Sequence, residues 1–132
     1  MELFIKYPID VQEELLFRLL QSAKDTEFGR KFDFSSINTY KDFASKVPIQ
    51  QYESIEPLIE RCRKGEQNLF WPTKIKWFAK SSGTTNAKSK FIPVSDEAIE
   101  NCHLKAGKDM LCLYINNNEE TTLFNGKALR LG

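Results

Sequence analysis

A segment in the second half of the chain carries residue types that bind phosphate groups. It reads SSGTTNAKSK over residues 81–90, so that Ser81, Ser82, Thr84 and Thr85 surround Gly83 and two lysines follow. A polyphosphate presents several oxygen acceptors and negative charges, and it is bound by backbone N–H groups, hydroxyl donors and an ammonium group. A glycine lets the main chain approach the phosphates because it has no Cβ. The segment therefore predicts a phosphate-binding loop.

Two alternatives concern the same segment. Serine, threonine, glycine and asparagine are also common in surface turns, so a loop without a ligand remains an open interpretation. A Walker loop needs GxxxxGK[ST] between a strand and a helix. Here the second glycine is missing before the lysine, and the loop lies between two predicted strands. A Walker-type NTPase is therefore disfavoured.

Cysteine and histidine offer little chemistry. Cys62, Cys102 and Cys112 are odd in number and form no C-x-x-C pair, and His103 is the single histidine. These spacings predict neither a disulfide framework nor a zinc site. We expect reduced thiols in a cytoplasmic protein, each cysteine acting as a small buried hydrophobe, and a structural role for His103.

The composition limits the class of protein. The chain has 132 residues, a net charge of +1, 41% hydrophobic and 28% charged residues, and ten Phe. Such a chain can bury a core, which excludes disorder. Its near-neutral charge gives no field for nucleic acid or an anionic membrane surface. No apolar run approaches the roughly 20 residues that a membrane helix needs. We therefore expect neither nucleic acid nor membrane as a partner.

The elements before the loop are predicted to be mainly helical. Three helices are predicted to begin at Asp10, Tyr40 and Ser54 and to end near Lys24, Lys46 and Lys64. Glu13 stands at the capping-box distance from Asp10, Thr39 is the N-cap of the second helix, and Gly65 ends the third. Residues 26–34 are predicted to form a loop in which Gly29 has a positive φ and the phenylalanines contact the protein body.

The elements around and after the loop include strands. Alternation of lysine with apolar residues predicts a strand at Lys74–Lys80. A short strand is predicted at Phe91–Val94, ending at Pro93 or shortly after, and another begins at Ala128–Leu131. A final helix is predicted from Ser95 or Asp96 until just before Asn116, with one face formed by Ile99, Cys102, Ala106 and Met110. The fold class is therefore α/β or α+β, with N-terminal helices packed on a short mixed sheet.

Longer motifs resemble a known family. The segment Ser81–Pro93 (SSGTTNAKSKFIP) is similar to the phosphate-loop motif of the acyl-adenylate-forming enzymes. The closer resemblance is to one branch, the auxin-responsive (Gretchen Hagen) acyl-acid amido synthetases. Ala23–Phe32 (AKDTEFGRKF), Tyr40–Arg61 (YKDFASKVPIQQYESIEPLIER) and Gly65-Glu66 also look like this family. The resemblance thus covers nearly the whole chain.

This resemblance implies a two-step ligase reaction that uses ATP with Mg²⁺. A carboxylic acid attacks ATP to give an acyl-adenylate and pyrophosphate, and an amine or amino acid then displaces AMP to form an amide. By position, the residues that would bind the ATP phosphates are Ser81, Ser82, Gly83, Thr84, Thr85 and Lys90. Ile99 and Cys102 would line the acyl pocket, and ordinary core packing is the alternative for both.

The segment also departs from the family pattern. Asn86 and Ala87 stand where relatives often have a glycine, and Lys88-Ser89 replaces the proline that often precedes the lysine. Either lysine could therefore contact phosphate, and position favours Lys90.

The resemblance is to the opening portion of a longer family. Residues 1–132 would form the N-terminal part of an adenylate-forming (acyl-activating) domain, with the C-terminal remainder absent. We therefore expect the chain to be inactive alone. The alternative is a small non-catalytic interaction module that self-associates through an exposed apolar surface.

Overall fold

Helices are the main secondary structure of the residues that the computed structural model describes, which are 5–81 and 89–127. The chain divides after Asp96 into two units, which we describe separately. The elements in chain order are α1 (Pro8–Ala23), α2 (Glu27–Lys31), a 3₁₀ turn (Phe34–Ser36), α3 (Tyr40–Lys46), α4 (Tyr52–Arg63), β1 (Trp77–Lys80), β2 (Phe91–Val94), α5 (Asp96–Ala98), a π-helical segment (Ile99–Leu104) and α6 (Lys105–Asn117). None of the described helices combines the length and apolar composition that crossing a membrane requires.

The two described strands form an antiparallel pair. Trp77 lies opposite Val94, and Lys80 lies opposite Phe91. The predicted strand at Phe91–Val94 is confirmed with its bounds, whereas β1 covers only the last four residues of the predicted Lys74–Lys80 strand. The α+β form of the predicted fold is thus confirmed, with an antiparallel rather than a mixed arrangement among the described strands. The predicted strand at residues 128–131 lies outside the described residues.

Two apolar clusters in the first unit share one tryptophan. The first contains Leu20, Ala23, Phe34 and Ile37, and the second contains Cys62, Leu69 and Ile75. Trp71 packs against both clusters, so it links α1 and the 3₁₀ turn to α4 and the chain before β1. The predicted contact of Phe28, Phe32 and Phe34 with the protein body is confirmed, because Phe34 is buried and the other two pack on the first cluster.

Residues 26–34 correct the sequence prediction. They contain helix α2 instead of a continuous loop, and α2 begins after Thr26, whose side chain is fully buried. The Thr26 hydroxyl donates to the Ala23 carbonyl at 2.6 Å and accepts from the Gly29 N–H at 3.0 Å. Gly29 is required for a different reason than predicted. Its φ is not positive, but an added Cβ would lie 2.0 Å from the Ala23 carbonyl oxygen.

The N-termini of α3 and α1 test the capping residues that the sequence predicts. The Thr39 capping box of α3 is confirmed, since Asp42 N–H donates to Thr39 Oγ1 at 3.1 Å and Thr39 N–H donates to Asp42 Oδ2 at 2.9 Å. The predicted Asp10 cap is wrong. Helix α1 starts at Pro8, whose missing N–H and fixed φ suit the first helical position.

Helix α4 starts two residues before the predicted Ser54 and ends in a Schellman motif. Gly65 has φ of 101°, its N–H donates to the Cys62 carbonyl at 3.0 Å, and the Glu66 N–H donates to the Arg61 carbonyl at 3.1 Å. The left-handed conformation explains the glycine and confirms the predicted helix stop.

Arg61 connects α4 to α2. Its guanidinium donates to both carboxylate oxygens of Glu27 at 2.7 Å, and its Nε donates to Glu66 at 2.8 Å. These hydrogen bonds lower the pKa of both carboxyl groups and raise the pKa of Arg61. A bidentate pair fixes the relative orientation of its two side chains in addition to pairing their charges. It therefore holds α2 and α4 in a fixed position relative to each other.

The second unit, residues 97–127 of the described chain, is helical as predicted but less regular. The predicted single helix contains the π-helical segment and continues in α6 to Asn117. Met110 remains 64% exposed, so the predicted Ile99–Met110 face is not a buried face in this unit.

Replacing Gly29 with alanine tests the close approach to Ala23. We expect Gly29→Ala to destabilise the protein by about 1–3 kcal/mol, because the clashing atom belongs to the backbone and cannot move alone. Gly107→Ala is the matched control, since its added Cβ meets nothing within 4 Å. We expect it to be neutral or stabilising by up to about 1 kcal/mol. Chemical denaturation followed by circular dichroism measures both changes, and equal effects would contradict the close-packing explanation.

Asp33 gives a pH-dependent prediction. It has φ of 49°, and its carboxylate accepts hydrogen bonds from Ser36, Ser35 and Lys46. The hydrogen bond from Ser36 contributes most, and together these contacts lower the pKa of Asp33 from 3.8 to about 2. Because the folded-state pKa is depressed, the carboxylate stabilises the fold above pH 3.8, and this contribution is lost as the pH falls towards 2.

Asp33→Asn isolates this charge, because asparagine also tolerates the left-handed conformation. We expect the wild type to melt at a higher temperature than the variant at neutral pH and the difference to shrink between pH 3.8 and about 2. Thermal melts across this pH range measure the difference. A difference that stays constant down to pH 2 would contradict the assignment.

Candidate phosphate-binding site

The base of the predicted phosphate loop is formed by Ser81 and Lys90. They lie next to the pair of the sheet that is nearest the loop, Lys80 opposite Phe91. The Ser81 N–H donates to the Lys90 carbonyl at 2.9 Å, and the Lys90 N–H donates to the Ser81 hydroxyl oxygen at 3.1 Å. The predicted strands on both sides of the segment are therefore confirmed. The Ser81 oxygen serves as an acceptor here, which leaves its hydroxyl hydrogen available to donate to another group.

Ser82, Gly83, Thr84 and Thr85 lie outside the described residues, as do residues 86–88. The structure thus brings together two of the six predicted phosphate-binding residues, Ser81 and Lys90, and their contact with phosphate stays a prediction.

Helix α4 holds the hairpin through its first residue. The Tyr52 phenol oxygen accepts from the Phe91 N–H at 2.9 Å and donates to the Phe91 carbonyl at 3.4 Å. At the other end of α4, the Arg63 guanidinium carbon lies 3.7 Å from the centroid of the Phe91 ring. Both contacts reach the residue that directly follows Lys90, so the lysine starts from a backbone fixed by α4.

The Lys90 side chain returns towards the first turn of α4. Its Nζ lies 3.3 Å from Glu53 Oε1 and 4.9 Å from the centroid of the Tyr52 ring. The pKa of Glu53 is lowered, first by a hydrogen bond from its own backbone N–H and then by Lys90. The site therefore contains an ammonium paired with a carboxylate. The ammonium suits a phosphate, and the carboxylate opposes one.

The two predicted acyl-pocket residues lie in the second unit, in the π-helical segment Ile99–Leu104. Ile99 is half-buried and Cys102 is exposed. Ile99 thus has a partly accessible side chain, and its role in an acyl pocket stays a prediction, as does that of Cys102.

The described cysteines and acidic residues provide no further candidate for a reactive or metal-binding site. All three cysteines are free, as predicted, but only Cys62 is buried, so the prediction of a buried hydrophobe is wrong for Cys102 and Cys112. Burial raises the pKa of the Cys62 thiol, which suits a structural role. Within residues 5–81 and 89–127, no three His, Cys, Asp or Glu side chains are grouped closely enough to hold a metal ion. We therefore assign no Mg²⁺ ligand.

Tyr52 and Glu53 were not predicted as site residues. They lie in the family-like segment Tyr40–Arg61, but a Tyr-Glu pair carries no local signature for contact with a residue 39 positions later. Only the resemblance marked that segment, and it assigned no role to either residue.

Comparisons with known proteins agree with the motifs. The chain matches the family model described as the GH3 family N-terminal domain over residues 1–131. It is 33% identical over 94 residues to indole-3-acetic acid-amido synthetase GH3.2 of Arabidopsis thaliana, covering 70% of this chain and 17% of that protein. It is 31% identical over 121 residues to jasmonoyl–L-amino acid synthetase JAR6 of Nicotiana attenuata, covering 91% of this chain and 20% of that protein.

A solved structure shows the same similarity. The structure of GH3.15 acyl acid amido synthetase matches with a TM-score of 0.63 and 30% sequence identity, covering 70% of this chain and 17% of that chain. The chain spans about a fifth of the length of the curated relatives it matches. The motifs, the family match along nearly all residues and the shared fold lead to one conclusion: the chain belongs to the GH3 family and corresponds to sequence of its N-terminal domain.

Proposed function

We propose that this chain forms the N-terminal part of the adenylate-forming domain of an ATP-dependent acyl-acid amido synthetase. Relatives named above are amido synthetases for indole-3-acetic acid and for jasmonoyl–L-amino acids, which supports a carboxylic acid and an amine or amino acid as substrates. In this reaction a carboxylate oxygen attacks the α-phosphate of ATP and pyrophosphate leaves. The amine then attacks the acyl carbon and AMP leaves. We expect the protein to act in the cytoplasm.

The geometry at the base of the loop carries this proposal. Ser81 and Lys90 close an antiparallel strand pair, and the sequence between them is rich in hydroxyl residues. Hydroxyl donors and an ammonium suit the β- and γ-phosphates and would stabilise the charge that develops on pyrophosphate. The residues proposed to bind these phosphates are Ser81, Ser82, Gly83, Thr84, Thr85 and Lys90.

The remaining requirements of the reaction limit what the chain does alone. Mg²⁺ would accompany ATP and neutralise phosphate charge, and the described residues contain no acidic cluster for it. Ile99 and Cys102 would contribute to an acyl pocket. We propose that the chain by itself binds ATP weakly and is not a competent enzyme.

A second candidate function is self-association, which one surface favours. In the antiparallel pair, Trp77, Ala79, Ile92 and Val94 share one face of the sheet because opposite residues point the same way. Trp77 is 60% exposed and Ile92 is 54% exposed, so this face is both apolar and accessible. Such a surface fits a second copy of the chain or another part of a longer protein.

Titration with ATP and Mg²⁺ tests the phosphate assignment. We expect a dissociation constant in the millimolar range or weaker, with amide shift changes in two-dimensional NMR concentrated at Ser81 and residues 89–91. Lys90→Met keeps the aliphatic stem and removes the charge, so we expect it to weaken binding at least about threefold.

Two results would contradict the proposal. A micromolar dissociation constant would contradict incompetence alone, and unshifted amides at residues 81 and 89–91 at saturating ATP would contradict the loop assignment. Diffusion NMR on the same samples measures the oligomeric state and so distinguishes self-association from the synthetase function. A dimer with no response to ATP would favour self-association, whereas a monomer that binds through Lys90 favours the synthetase.

A further inference from the structure

Lys90 has an unusual set of neighbours for a residue at the base of a ligand loop. Its ammonium is paired with Glu53 and lies over the Tyr52 ring, and both residues belong to the first turn of α4. The proposed phosphate lysine is thus already bound to a carboxylate of its own chain.

The backbone of this region cannot easily move the lysine away from Glu53. Tyr52 binds both polar backbone atoms of Phe91, and Ser81 binds both polar backbone atoms of Lys90. With the backbone held on both sides, any exchange of partners must occur by rotation of the Lys90 side chain. Lysine has four side-chain torsions, which allow this without a backbone change.

The ion pair between Lys90 and Glu53 is weak enough for a ligand to replace Glu53. The Lys90 and Glu53 side chains are 44% and 68% exposed, and a single N–O contact of 3.3 Å joins them. Exposed pairs of this type contribute little because water screens both charges. A ligand with several negative charges offers Lys90 a stronger Coulomb partner than one carboxylate does.

Arg61 provides an internal comparison. It is held by two carboxylates, Glu27 and Glu66, and both oxygens of Glu27 take part. Releasing Arg61 would break a bidentate pair and separate α2 from α4, so this cation is structural. Among the described residues Lys90 has one carboxylate partner, and this single ion pair does not connect two helices.

We propose that Glu53 is an internal competitor of phosphate for Lys90, and therefore a positioning residue that sets the affinity of the loop for polyphosphate. This inference rests on the proposed function. In the free protein Glu53 holds the ammonium beside α4, and a bound phosphate displaces the carboxylate. Glu53 itself does not contact the ligand. Its negative charge, which the low pKa of this carboxyl maintains, opposes binding.

Inorganic tripolyphosphate is the probe, because it carries the phosphate charge without base or ribose. Its dissociation constant is measured by NMR titration at low ionic strength. We expect Glu53→Gln to tighten binding about two- to fivefold. Glu53→Asp keeps the charge and is expected to stay close to wild type. Glu13→Gln, on the exposed surface of α1, makes the same change in net charge and is expected to leave affinity nearly unchanged.

A double-mutant cycle with Lys90→Met shows whether Glu53 acts through the lysine. We expect most of the Glu53→Gln gain to disappear in the Lys90→Met background. An equal gain in both backgrounds, or no gain from Glu53→Gln in a protein whose binding depends on Lys90, overturns the inference and leaves the proposed function standing. No shift at residues 81 and 90 in either wild type or Glu53→Gln overturns the proposed function as well.

Discussion

The phenol of Tyr52 holds the backbone of Phe91, and this contact joins the β1–β2 hairpin to the start of α4. Lys90 precedes Phe91, so the same contact determines where the proposed phosphate lysine begins. Helix α4 is in turn fixed at its C-terminal end by the Gly65 turn and by the bonds from Arg61 to Glu27. The loop base is therefore connected to the core through α4 and also through Phe78 of β1, which packs against the second cluster.

Three cations of this region are held in three ways that match three roles. Arg61 joins two carboxylates and connects helices. Arg63 donates to Glu60 and covers the Phe91 ring, so it stabilises the face of β2 that packs on α4. Lys90 pairs with Glu53 through one exposed contact and lies over the Tyr52 ring, and we propose that it exchanges Glu53 for phosphate.

The sequence was sufficient where a structural feature depends on neighbours along the chain. The Thr39 capping box and the Gly65 helix stop rest on contacts within a few residues, and both were predicted, as was the Phe91–Val94 strand. The prediction for Gly29 failed because its constraint is a close approach to the Ala23 carbonyl, which single-residue preferences for positive φ do not report.

The candidate site shows the same limit. Ser81 and Lys90 could be found because they lie within one motif, and strand pairing brings them together. Tyr52 and Glu53 could not, because they reach the hairpin only after α4 packs beside β2, across a separation of 39 residues for the Tyr52–Phe91 bond. Similarly, the π-helical segment that contains Ile99 and Cys102 has no periodic signal that separates it from an ordinary helix.

We propose that the loop closed by Ser81 and Lys90 binds the phosphates of ATP during acyl-adenylate formation. Acid-dependent ATP–pyrophosphate exchange tests it most directly, in a full-length GH3 synthetase that carries this sequence as its N-terminal part. We predict that Lys90→Met lowers the exchange rate by about tenfold or more while the protein stays folded. An exchange rate equal to that of the unsubstituted enzyme would contradict the claim.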